Sequence, residues 1–153
     1  MPNNIGNIID KLRRAKQRLA EERPNQVLTI ALDSIALVKT RIQSSGTDSS
    51  GSQFAGYVPS YEKKKRESGF QTDFFDFTVR GRGWANIIPK VVEDGNGKTS
   101  VEISGGNQLT RNKLLGQVKK RGNILLNSQD EIDAIRNVCF QWNTSIINQE
   151  LST

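Results

Sequence analysis

A chain of 153 residues is long enough for one domain and short of two, because domains most often run to about 100–150 residues. Hydrophobic side chains make up 35% and charged ones 25%, more polar than an average globular protein but not polar enough to predict disorder. Cys139 is the only cysteine and there is no histidine, which excludes intrachain disulfides, Cys/His zinc sites, histidine triads and histidine general bases. No run of about 18 apolar residues occurs and the amino terminus lacks a signal pattern. The expectation is a soluble protein made in the cytoplasm, with no membrane partner.

The net charge of +6 is unevenly spread. Residues 1–43 carry eight basic and four acidic side chains. A second basic run, Lys63, Lys64, Lys65 and Arg66, follows later, and Arg111, Lys113, Lys119, Lys120 and Arg121 form a third with no acid between them. The last 26 residues are net negative. Segregated charge of this kind suits either nucleic-acid binding or the pairing of one copy's basic face with another's acidic face.

In chain order, Ile5, Ile8, Ile9, Leu12, Ala15 and Leu19 keep helical spacing between basic residues, predicting an amphipathic helix. Pro24 predicts a break near Arg23 and a second helix to about Gln43, carried by Val27, Ile30, Ala31, Ser34, Ile35, Val38 and Ile42. Residues 44–56 have the composition of a flexible linker. Ser60 is the expected cap of a short helix that Gly69 ends. Residues 72–80 alternate as a strand, and a turn through Gly81, Arg82 and Gly83 delivers Trp84. A second strand over residues 85–93 contains Pro89, which argues for an edge or a bulge. Asp94-Gly95-Asn96-Gly97 predicts a hairpin and a third strand over residues 98–104.

Residues 109–120 predict a basic helix with Leu114, Leu115 and Val118 inward, ended at Gly122. Residues 123–127 read as extended. Ser128 and Glu131 make a capping box, and the helix it opens has an apolar wall of Ile132, Ile135, Cys139, Trp142 and Ile146. The fold class is therefore α+β: an N-terminal helical region (1–43), a linker or loop (44–56) and an α+β core (57–153). These form one structural domain, with a small antiparallel sheet of at least three strands and a C-terminal amphipathic helix.

No catalytic constellation emerges. Arg80-Gly81-Arg82-Gly83-Trp84 lacks the strand-loop-helix context and the Lys-Ser/Thr pair of a phosphate loop. Asp73 and Asp76 lie on opposite faces of the predicted strand, so they make no acid/base pair. Asp94 sits in a turn, Glu131 caps a helix, and Cys139 reads as a small core residue. No cofactor or metal is expected. Among the mixed aromatic and basic residues, the phenylalanines are best read as core, while Lys63, Lys64, Lys65 and Arg66 point in all directions around a helix and form a positive rim or DNA-facing surface.

The stretch from Gly56 to Ile87 resembles the central segment of the tail-completion or head–tail connector proteins of tailed bacteriophages. The residues that carry the likeness are Tyr57-Val58-Pro59-Ser60-Tyr61, the Lys-rich helix ending at Gly69, Asp76-Phe77-Thr78-Val79, Gly81, and Trp84 to Ile87. Arg121-Gly122-Asn123 and the Ser128-capped helix are similar to that family's ending. The sequence departs from the pattern at Arg80 and Gly83. The resemblance implies a non-enzymatic structural virion protein, a homo-oligomeric ring in the neck or at the top of the tail that joins the DNA-filled head to the tail. It also implies other neck, portal-associated or tail proteins as partners, with non-specific DNA contact. In such a ring Arg111, Lys113, Lys119, Lys120 and Arg121 are candidates to meet Asp130, Glu131 and Asp133 of the next copy. The alternative function is a small basic nucleic-acid-binding protein.

Overall fold

The computed structural model describes residues 4–78, 82–96 and 98–153. A single helix, α1 (Asn4–Ser45), replaces the two predicted from Pro24. Proline removes one backbone donor and crowds the preceding turn, yet side-chain bonds to the last helix lie on both sides of it. Arg18 Nη1 reaches Glu150 Oε1 at 3.2 Å before the proline, and Gln26 Nε2 donates to Asn143 Oδ1 at 2.9 Å after it. Tertiary packing therefore overrides the local break.

A tied loop follows where a flexible linker was expected. Thr47 pairs with Gln53 in an isolated bridge, and Asp48 Oδ1 accepts from the Ser50 and Ser52 amides at 2.8 and 3.0 Å. Phe54, in the same loop, is buried. Next comes α2 (Pro59–Glu67), whose N-cap is Val58 rather than Ser60, with Pro59 in the first turn. Gly69, at φ 78°, ends it, and the Phe70 amide reaches back to Lys65 O at 3.1 Å in a Schellman-type closure.

Residues 72–78 form no strand, which corrects the expectation of at least three. Asp76 is buried as a hydrogen-bond acceptor, and Phe77 adopts φ 53°, a left-handed conformation incompatible with a regular strand. Val79, Arg80 and Gly81, the end of that predicted strand and the start of its turn, lie outside the described residues. A short helix, α3 (Arg82–Ala85), carries Trp84 inward. The sheet is the antiparallel pair β1 (Ile87–Glu93) and β2 (Thr99–Gly105), with Ile87 opposite Gly105 and Glu93 opposite Thr99. Pro89 is tolerated because each strand of a two-stranded sheet is an edge.

Asn107 Oδ1 accepts from the Thr110 amide and caps α4 (Gln108–Arg121). Leu114 is buried as predicted, but Leu115 and Val118 are 61% and 44% exposed. One reason for the choice of face lies at Gly105, where a Cβ would stand 2.6 Å from the Arg111 backbone nitrogen. Gly105 thus lets α4 pack directly on the end of β2. Instead of Leu115 and Val118, the following segment contributes Ile124, 1% exposed, to the core. The predicted capping box is present at Ser128 and Glu131 and opens α5 (Gln129–Ser152).

Bonds from Lys11 to Leu151, Arg18 to Glu150, Gln26 to Asn143 and Arg41 to Glu131 make α1 and α5 an antiparallel pair, and Ser34 bonds Asn127 just ahead of α5. At 1.5 Å per residue α1 is about 63 Å long and α5 about 36 Å. The main core lies at the carboxyl end of α1, where Val38 and Ile42 meet Phe54, Phe75, Trp84, Ile87, Leu114 and Ile124. At the other end Lys11 Nζ donates to the Leu151 carbonyl at 3.0 Å. Ile5, Ile8, Ile9 and Leu12 in this region are 73, 45, 44 and 49% exposed.

Candidate interaction site

Between α2 and β1 the chain builds a buried polar hub. The α2 periodicity turns Lys65 inward to 3% exposure, while Lys63, Lys64 and Arg66 stay outside, so the predicted four-cation rim keeps only three members. Lys65 Nζ lies 2.6 Å from Asp76 Oδ1 and donates to the Tyr57 hydroxyl at 3.0 Å. The Tyr57 hydroxyl in turn donates to Asp76 Oδ1 at 2.6 Å. Gln71 Nε2 donates to Asp76 Oδ2 at 2.7 Å and the Thr78 amide to Oδ1 at 2.8 Å. Trp84 Nε1 completes the set by donating to the Asp76 carbonyl at 3.3 Å.

Burial alone would raise the Asp76 pKa, but the bonds from Lys65, Tyr57, the Thr78 amide and Gln71 outweigh it and hold the carboxyl below its ordinary value. Burial, followed by the hydrogen bond to Asp76, pushes the Tyr57 phenol well above its ordinary range. Burial also raises Tyr61, with the Asp76 charge adding to it. The chemical result is a carboxylate fixed as an anion, a phenol fixed as a donor and a cation held against both. Among the described residues no buried side-chain nitrogen or oxygen lacks a hydrogen-bond partner.

The family-like positions converge here. Tyr57, Asp76 and Trp84 are joined by hydrogen bonds or through the Asp76 backbone, and the Tyr61 ring lies tilted against Tyr57 with centroids 5.2 Å apart. Pro59 opens the helix that delivers Lys65, and Gly69 closes it. Gly81 lies outside the described residues. Lys65 and Gln71 had no sequence signal as hub members, since their role arises from which way α2 and the following loop face.

The hub borders a groove of about 860 Å³ between the 55–61 segment, residues 75–78 and α4. Tyr57, Tyr61, Phe75 and Phe77 supply aromatic surface, with Leu109 at the α4 side. Lys113, Lys120 and Arg121 supply three cations, and no acidic side chain among the described residues lines it. Arg121 is a wall component rather than an exposed contact. Its guanidinium lies 4.0 Å from the Phe75 ring centroid and donates to the Ala55 and Gly56 carbonyls at 3.0 and 2.9 Å. Burial lowers its pKa.

The other candidate interface residues divide by face. Lys113, Lys119 and Lys120 are exposed, and Arg111 is exposed while its Nε donates to the Gly105 carbonyl at 2.8 Å. Asp130 and Asp133 are exposed, Asp133 lying 3.2 Å from Arg136. Glu131 belongs inside. At 8% exposure it accepts from Arg41 Nε at 2.8 Å and from the Ser128 amide, so the expectation that it meets a neighbour is corrected. The Arg41 partnership crosses 90 residues, a distance over which no local spacing rule operates.

No group of three or more Cys, Asp or Glu side chains among the described residues is placed to hold a metal, and no described helix is long and apolar enough to cross a membrane. No protein-family model, curated protein or solved structure matches the chain.

Proposed function

We propose that the chain is a non-enzymatic structural virion protein, a ring-forming subunit of a phage neck or tail top that helps join the DNA-filled head to the tail. The observation that carries this reading is the row of exposed aliphatic side chains on the first turns of α1, Ile5, Ile8, Ile9 and Leu12. Their helical positions continue the side of α1 on which Ala15 is buried and Leu19 partly buried. A second copy that continues this packing removes them from water. At about 25 cal/mol per Å² of apolar surface, the burial favours association.

Two further features support the same reading. The buried acid, phenol and amine of the hub bond to one another, so their geometry serves to brace the loop. The resemblance of the stretch from Gly56 to Ile87 to tail-completion and connector proteins includes that brace. Outside it, Arg111 and Lys119 present charge that Asp130 and Asp133 of the next copy would meet, and Lys63, Lys64 and Arg66 remain for the rim or for DNA.

Native mass measurement followed by electron microscopy of the purified chain tests the proposal. Closed rings of uniform size are the expected result. A monomer that binds duplex DNA stoichiometrically, with a log–log salt slope of about −0.9 per phosphate neutralised, would replace it with the nucleic-acid-binding reading.

A further inference from the structure

The groove beside the hub has walls of aromatic rings and cations, and the same chain carries an exposed segment of opposite character. Phe70 stands at the end of α2, 37% exposed, between Glu67 and Asp73, both exposed. Residues 67–73 contain no basic side chain. Among the described residues every other exposed large apolar side chain has at most one acid within three residues, except Val92, whose neighbourhood also includes Lys90. The Phe70 segment is also held in shape before any partner arrives. The Gly69 amide donates to the Arg66 carbonyl at 2.9 Å and the Phe70 amide to Lys65 O at 3.1 Å, which fixes the turn that displays the ring. A turn already ordered loses less conformational freedom on docking.

We propose that the groove receives the Glu67–Asp73 segment of a second copy, with Phe70 against the Tyr61 and Phe77 side of the groove and the two carboxylates facing Lys113 and Lys120. The contact is head to tail: the groove of one copy takes the loop of the next, and the receiving copy's own loop is left for a third. That is the heterologous geometry that closes into a ring or runs on as a filament. The inference rests on the self-assembly reading above and names the residues that would carry it. Lys113, Gln117 and Lys120 fall at helical spacing on one side of α4, whereas Arg111 and Lys119 lie on other sides and are not used here.

The charges make the contact testable by exchange. K113E/K120E and E67K/D73K alter exposed side chains, and circular dichroism checks that each variant keeps its helices. Each double reversal is expected to weaken self-association at least tenfold, and a chain carrying all four changes is expected to recover most of it. Phe70→Ala should weaken association without changing its salt dependence. In parallel, the blocked peptide of residues 67–73 is titrated into the wild-type chain, with amide chemical shifts as the readout. Shifts centred on Lys113, Gln117 and Lys120, absent for the K113E/K120E chain, support the contact even where the chain alone remains monomeric. Rings that form equally well in both reversed variants would overturn this contact and leave the ring reading standing. A monomeric chain whose α4 resonances ignore the peptide would overturn the contact as well.

Discussion

Around Asp76 the buried polar side chains are matched within the chain, whereas the first turns of α1 leave Ile5, Ile8, Ile9 and Leu12 substantially exposed. The first region is finished by folding. The second keeps apolar surface in water, and it is the surface that the proposed assembly would cover. The difference teaches where substitutions should act: at the hub they cost stability whether or not the protein assembles, and at the helix end they should spare the monomer and remove association.

Breaking the hub should have the largest effect. Lys65→Ala leaves the Asp76 carboxylate buried without its cation and is expected to cost about 3–5 kcal/mol in urea unfolding. The same network gives a pH signature. Because the folded-state pKa of Asp76 lies below its ordinary value of 3.8, its contribution is fully present above that value and is lost as pH falls through the lower folded pKa. Tyr57 works in the opposite direction. Its raised folded-state pKa makes its contribution complete below its ordinary value of 10.0, with loss beginning as pH rises past it. Wild type should therefore lose stability at both extremes. Tyr57→Phe should remove most of the alkaline component, leaving the part that the raised Tyr61 contributes, and Asp76→Asn should remove the hub's acid component, as followed by urea midpoints across pH.

Changes along the helical pair come next. Pro24→Ala restores a backbone donor inside α1 and is expected to raise stability by about 2 kcal/mol, measured by the same unfolding. A loss instead would mean that the backbone geometry Pro24 imposes is needed for the α5 contact. Ser128→Ala removes the cap of α5 and should cost about 1 kcal/mol. The smallest change in monomer stability, about 1 kcal/mol or less, is expected from Ile9→Ser with Leu12→Ser, because both residues are already nearly half exposed. Sedimentation of that variant should nevertheless show reduced association, which is what separates the two regions.

Sequence reasoning reached the elements whose signals are local. The Ser128 capping box, the Asp94 turn and the Gly69 stop each depend on neighbours within a few residues, and each is present. It failed where distant partners decide. Pro24 reads as a break until α5 lies alongside, and residues 72–78 read as a strand until Asp76 is drawn into the hub by Tyr57 and Lys65. The alternation read over residues 72–80 does not hold in its described part, since Phe75 and Asp76 are both buried; Phe75 and Phe77 instead join an aromatic chain, with centroids 6.2 Å apart, that leads on to Trp84. The candidate site was half legible for the same reason. Tyr57, Asp76 and Trp84 stood out in the sequence only as residues that carry the resemblance, whereas turning Lys65 inward and its three neighbours outward requires the packed position of α2.

The most direct measurement of the account's central claim is the native mass of the intact chain across a range of concentrations, with electron microscopy of whatever large species forms. Assembly into a closed ring of fixed copy number is the predicted result. A chain that stays monomeric at every concentration while binding duplex DNA tightly and stoichiometrically would contradict it.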